Sequence, residues 1–378
     1  QFHTVTARNN GTLTVYGDIY TDNNGNFTPN DTYNDPPMIS TAVSETATIN
    51  LRGQVRDTKD GPLTRVGASG DGENILDRNH SMSFQMRGND EINVNVFRQW
   101  DATGAIYATQ GYFRIHYDPL AEGLDGTAFQ SATAQGAVAQ SNQWNQLWLG
   151  GPQNSLGIAN SSSNNYHGHI LLTKPDQILA YGDRIYVSNN NRNRTLTLGG
   201  EHTSGTAYIG TADNSSNYII LYQNSNSERD LRFLQVRGGT LVVNARLQDG
   251  NSTSDSFNST VSMVGPGTMV FNRNGAGSST VDRWNFMAGT TIWDGMTGNN
   301  QFARTRGSSS NNIGSVSTWG GGDLVLNRPG STTRTQTLDG NIYILNGSSS
   351  VTASQNTIMT LGAATRTLSR ASGSSMGF

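Results

Sequence analysis

A six-residue pattern recurs along the second half of the chain: glycine, a small polar residue, three mostly apolar residues, then asparagine or aspartate. It reads Gly-Thr-Leu-Val-Val-Asn at 239–244, Gly-Thr-Met-Val-Phe-Asn at 267–272, Gly-Thr-Thr-Ile-Trp-Asp at 289–294 and Gly-Asp-Leu-Val-Leu-Asn at 322–327. A copy one residue longer occupies 340–346, and looser copies stand at 205–210 and, near the amino terminus, at 11–16. A short run of β-formers bounded by Gly and Asn is a strand between two turns, because both residues tolerate the left-handed backbone of a sharp corner. Repetition of such a unit marks a stacked solenoid, in which each short strand covers its neighbour's apolar face.

The leading glycines at 205, 239, 267, 289, 322 and 340 are separated by 34, 28, 22, 33 and 18 residues. No regular hexapeptide or nonapeptide helix fits such steps. An irregular β-helix does, since a coil can keep its core strand and vary its surface loops. The competing architecture is a β-sandwich whose strands merely end alike.

Composition supports frequent turns and little helix. The chain of 378 residues holds 44 glycines, 14% charged and 34% hydrophobic residues, with a net charge of −3. The scatter of its charges leaves no basic stripe to track a phosphate backbone, so nucleic acid is not an expected partner. No cysteine is present and no apolar run is long enough to cross a bilayer as a helix. Beginning at Gln1, the sequence reads as a mature secreted chain, placed at the cell surface or in the extracellular matrix. Asn-x-Ser/Thr sequons, Asn10, Asn79 and Asn258 among them, follow from the abundance of Asn, Ser and Thr.

Two regions and a connector are expected. Residues 1–120 form a β-rich amino-terminal region with period-two stretches at 47–51, 82–86 and 92–97 and further apolar strands at 104–107 and 112–117. Residues 121–143, small and rich in Ala and Gln, form a connector in which a short helix over 128–139 competes with loop. From 144 to 378 strands and Gly or Asn turns alternate as a β-solenoid, through 144–149, 170–172, 184–187, 195–198 and 218–221.

The segments Gly-Gly-Thr-Leu-Val-Val-Asn at 238–244, Gly-Gly-Asp-Leu-Val-Leu-Asn at 321–327 and Thr-Leu-Thr-Leu-Gly-Gly at 195–200 resemble the autotransporter-associated β-strand repeats and passenger segments of bacterial surface proteins. The resemblance covers roughly 144–378. It implies a right-handed parallel β-helix outside the cell, serving adhesion or surface architecture. Two features depart from that family: no membrane-barrel translocator follows, and the region before about 144 lacks an obvious repeat. The fold class expected is therefore all-β, an irregular right-handed parallel β-helix with an additional β-rich amino-terminal region.

If the third and fifth residues of each copy face the core, the inward set is Ala207 and Ile209, Leu241 and Val243, Met269 and Phe271, Thr291 and Trp293, Leu324 and Leu326, and Ile342 and Ile344. The fourth residue then faces outward, and it is apolar in every copy: Tyr208, Val242, Val270, Ile292, Val325 and Tyr343. Such a stripe marks a contact surface, covered either by another subunit or by the chain's own loops or amino-terminal region. The amino-terminal copy, with Leu13 and Val15, is a strand able to cap its own solenoid or to extend a neighbour's, which adds it to the assembly surface.

Catalytic constellations are poor. Residues 261–378 carry only Asp282, Asp294, Asp323 and Asp339 as acids, and turn formation explains those within or beside the repeat. There is no Gly-x-Ser-x-Gly elbow and no thiol. His167-Gly168-His169 places two imidazoles on one side of an extended segment without a third ligand, and the segment 22–26 has the oxygen-rich look of a calcium loop without its first and twelfth ligands. Neither amounts to a metal site, and no cofactor is expected. The chain reads as a non-enzymatic, self-assembling structural subunit of a surface fibre, sheath or layer, whose partner is itself. Alternative readings are an adhesin binding glycans through Trp100, Trp144, Trp148, Trp284, Trp293 or Trp319, and a carbohydrate-active β-helix enzyme.

Overall fold

A computed structural model describes residues 7, 10–19, 38–40, 47–56, 83–86, 92–98, 100–101, 106–108, 111–118, 127–130, 146–148, 166–180, 184–186, 194–210, 218–221, 229–249, 259–272, 281–294, 316–327, 331–338, 340–361 and 367–378. These form two compact units, Gln1–Tyr186 and Val187–Phe378. The described residues are all-β, without a helix, and every strand pairing among them is parallel. The chain is a β-solenoid.

In the first unit the strands visit three sheets in strict rotation. The first sheet stacks Thr12–Val15, Ala47–Leu51, Ile92–Val96, Gly111–Ile115 and Tyr166–Leu172. The second stacks Val55–Arg56, Trp100–Asp101, Thr127–Gln130 and Ile178–Ala180, and the third runs from Met38–Ser40 to Arg184–Tyr186. Rotation arises because each strand of two to seven residues ends in a turn before it can double back, so its only available partner lies one coil away.

The second unit begins on the same plan; after Arg246–Asp249 its described strands alternate between the first and second sheets, and Arg334–Leu338 pairs with Thr357–Leu361 as a separate two-stranded sheet. Its second sheet stacks Thr206–Ile209, Thr240–Val243, Thr268–Asn272, Thr290–Asp294, Asp323–Leu326, Ser348–Ala353 and Ser375–Gly377. The partners Thr206, Thr240, Thr268, Thr290 and Asp323 stand 34, 28, 22 and 33 residues apart, so the repeat is regular in space and irregular in sequence.

Alternation fixes the core. Every residue of the expected inward set is buried, from Ala207 and Ile209 through Trp293 to Ile344. Four rings join along the interior: Phe271 meets Phe233 edge-on at 5.3 Å and stacks on Trp293 at 4.9 Å, while Trp293 meets Trp284 edge-on at 5.5 Å. Phe286 stacks on Trp319 at 4.3 Å. Such pairs contribute about 0.5–1.5 kcal/mol each beyond their buried area.

Corners between the first and second sheets are tied by buried glutamines. Gln235 Nε2 donates to the His202 carbonyl at 2.9 Å, and Gln177 Nε2 donates to the carbonyls of Ile115 and Tyr117. Glycine is required where coils touch: a Cβ on Gly239 would lie 2.3 Å from both the His202 carbonyl oxygen and Gln235 Nε2.

Three sequence expectations change. The copies at 11–16 and 340–346 lie on first sheets, as Thr12–Val15 and Ile342–Ile344, and the strand that follows Asp323–Leu326 on the second sheet is Ser348–Ala353. Alternation is common to all sheets and does not say which one a strand joins. The segment Thr127–Gln130 is a strand held between Trp100 and Ile178–Ala180, so parallel pairing overrides helix propensity at 128–130; residues 131–139 lie outside the described residues. The terminal Asn of the motif does not supply a left-handed corner either, because the only described non-glycine residues with positive φ are Asn10, Asp176 and Asn356.

Candidate assembly surface

The outward face of the second sheet in the Val187–Phe378 unit carries three columns. Thr206, Thr240, Thr268, Thr290 and Asp323 form one; Tyr208, Val242, Val270, Ile292 and Val325 form the next, in direct register from strand to strand. All five members of the apolar column are half-buried. With strands about 4.8 Å apart the column runs for roughly 20 Å. Its side chains are β-branched in four of five places, so they are stiff and lose little freedom on contact.

Asn244, Asn272, Asp294 and Asn327 make the third column, each the last residue of its strand or the one just after it. Asn244 Nδ2 donates to the Gly210 carbonyl at 3.1 Å, Asn272 Nδ2 to Asn244 Oδ1 at 3.2 Å, and Asn327 Nδ2 to Asp294 Oδ1 at 2.9 Å. This is what the motif's last residue does: it ties one coil to the next. Asp323 likewise accepts from the backbone N–H and hydroxyl of Ser350, and Asp282 from those of Ser259. Each of these three acids serves a neighbouring coil. Asp339 lies outside the described residues.

Two groups of expected assembly residues fall elsewhere. Tyr343 stands on the first sheet of its unit, 36% exposed, in register with Thr318 and Ser369, and so is not part of the column. Leu13 and Val15 pair with Ile49 and Leu51, whose side chains are fully buried, and are themselves half-exposed. They are the inward residues of the first described coil, and among the described residues Thr12–Val15 is paired along one edge only.

Trp284, Trp293 and Trp319 are buried to within 1% and offer no platform to a sugar. The side chains of Trp100, Trp144 and Trp148 are outside the described set. Of the histidine pair, His169 stacks on Tyr112 at 4.3 Å, which gives its ring a packing role. Among the described residues no group of three His, Asp or Glu is arranged to hold a metal ion, and no helix is long and apolar enough to cross a membrane, a statement that concerns helices alone. Residues 22–26 lie outside the described set.

The sequence reading missed a polar face on the first sheet of the first unit. Arg52 lies over the Phe97 ring at 4.0 Å, Phe97 stacks on His116 at 4.9 Å, and Arg114 lies over Tyr112 at 4.6 Å while donating to Asn93 Oδ1 at 2.8 Å. The alternation of Asn93 and Asn95 with Val94 and Val96 was the available signal. Which coil each would meet was not.

In comparisons with known proteins, no family model, no curated protein and no solved structure matches this chain.

Proposed function

We propose that this chain is an extracellular structural protein whose β-solenoid associates with copies of itself into a surface fibre, sheath or layer. The observation that carries the reading is the register-aligned apolar column Tyr208, Val242, Val270, Ile292 and Val325. A second copy is the occupant that fits it. Turning a second copy by half a revolution about an axis that lies in the contact plane along the column lays the apolar column on itself and brings the threonine column of one copy against the amide column of the other, hydroxyl to amide. The inward positions of the same strands are buried and apolar in all but Thr291, and Asp282, Asp294 and Asp323 bond to neighbouring coils, so the outward column is additional to the core.

The half-exposed Leu13 and Val15 on Thr12–Val15, an edge strand among the described residues, add a second contact, since a parallel strand paired on one side presents backbone donors and acceptors to another chain. Electron microscopy of the purified full chain tests the reading: fibres or ordered layers support it, and single particles at high concentration overturn it.

A further inference from the structure

A hydrogen-bonded ladder crosses the outward face of the first sheet in the Gln1–Tyr186 unit. Asn50 Nδ2 reaches Thr14 Oγ1 at 3.4 Å, Asn95 Nδ2 donates to Asn50 Oδ1 at 2.9 Å, and Asn95 Oδ1 stands 3.1 Å from His116 Nε2. On the other side of the ring, His116 Nδ1 stands 3.0 Å from Thr173 Oγ1. That hydroxyl is also 2.9 Å from the Ile115 carbonyl oxygen.

The wiring assigns the ring. Asn95 turns its amide nitrogen to Asn50, so the atom facing Nε2 is an oxygen, which only accepts; Nε2 therefore carries hydrogen. Thr173 has one hydroxyl hydrogen and two acceptors in reach. The Ile115 carbonyl already receives the Thr173 backbone N–H at 3.1 Å and Gln177 Nε2 at 2.9 Å, so it does not depend on the hydroxyl. With neutral imidazole the hydroxyl hydrogen points to Nδ1. When Nδ1 gains a proton the hydroxyl turns to the carbonyl and its oxygen accepts from Nδ1–H.

We propose that His116 is a built-in proton acceptor of this face, taking up a proton at Nδ1 with the Thr173 hydroxyl as its rotor, so that mild acidification adds a positive charge without breaking the ladder. Stacking of Phe97 on the ring favours the cation. The charged residues on the described elements around it are Arg52 across Phe97, Arg98 after it, Arg114 and Asp118 on either side along its own strand, and Lys174 and Asp176 after Thr173. Four cations against two acids do not favour a further positive charge, and the two hydrogen bonds and the ring stack support it. The device lies outside the apolar column, so its failure leaves the assembly reading untouched.

The test is imidazole nitrogen NMR on the full chain carrying labelled histidine, followed over about pH 5–8, where histidine changes charge. The expected neutral form of His116 is the Nε2–H tautomer, and the Asn50 and Asn95 side-chain amide signals persist through its titration. In Thr173→Val, Nδ1 takes up its proton at lower pH than in the wild type. A neutral Nδ1–H tautomer, loss of the asparagine amide signals on acidification, or an unchanged titration in Thr173→Val would each overturn the proposal.

Discussion

Asn272 donates its side-chain amide to the side-chain oxygen of Asn244, one coil earlier, at 3.2 Å, and Asn244 passes its own amide to the Gly210 carbonyl. The two residues close successive copies of the repeat, and their bond makes them interdependent. Asn272→Ala is expected to lower stability by about 1 kcal/mol, whereas Asn244→Ala, which strips partners from both neighbours at a buried site, costs about 2 kcal/mol. Urea unfolding of the two variants and the double variant checks this, with the double costing less than the sum.

Phe271 is the hub of the aromatic interior, in contact with Phe233, Trp284 and Trp293. Phe271→Ala should cost about 3–5 kcal/mol by leaving a cavity among rigid rings. Phe271→Asp adds an unpaired buried charge and is expected to prevent folding, read as loss of the cooperative thermal transition. An unchanged melting curve would mean that the inward face is wrongly assigned.

Close approach of coils at the corners makes one glycine costly and another free. Gly239→Ala places a methyl against backbone and should destabilise by about 1–3 kcal/mol. Gly17, with nothing within 4 Å of an added Cβ, serves as the control, and Gly17→Ala is expected to change stability by less than about 0.5 kcal/mol. Thermal denaturation of the pair distinguishes crowding from a general effect of losing glycine.

The inward pairs Leu241 and Val243 or Leu324 and Leu326 were legible because period-two alternation is written locally, in four consecutive residues. The apolar column was legible for the same reason in its five second-sheet members. Tyr343 was misplaced because the strand Ile342–Ile344 carries the same local signal while belonging to another sheet, and sheet membership depends on loop lengths that vary from coil to coil. The ladder from Thr14 to His116 was illegible for a related reason: its bonds join residues 36, 45 and 21 positions apart, spacings that follow no repeat. Asparagine was read as a corner residue on its backbone tolerance, whereas its side-chain amide, donor and acceptor at once, is what a stack of parallel coils uses.

Self-association through the outward column is the central claim, and sedimentation velocity over a concentration series tests it most directly. Val270→Lys and Ile292→Lys together place two ammonium groups in the middle of the column, at half-buried positions where a lysine stem lies along the surface and leaves the core intact. The wild-type chain is predicted to shift to larger species as concentration rises, while the double variant keeps the wild-type melting temperature and stays at smaller species than the wild type at every concentration. A double variant that assembles like the wild type, or a wild-type chain that stays monomeric, would contradict the account.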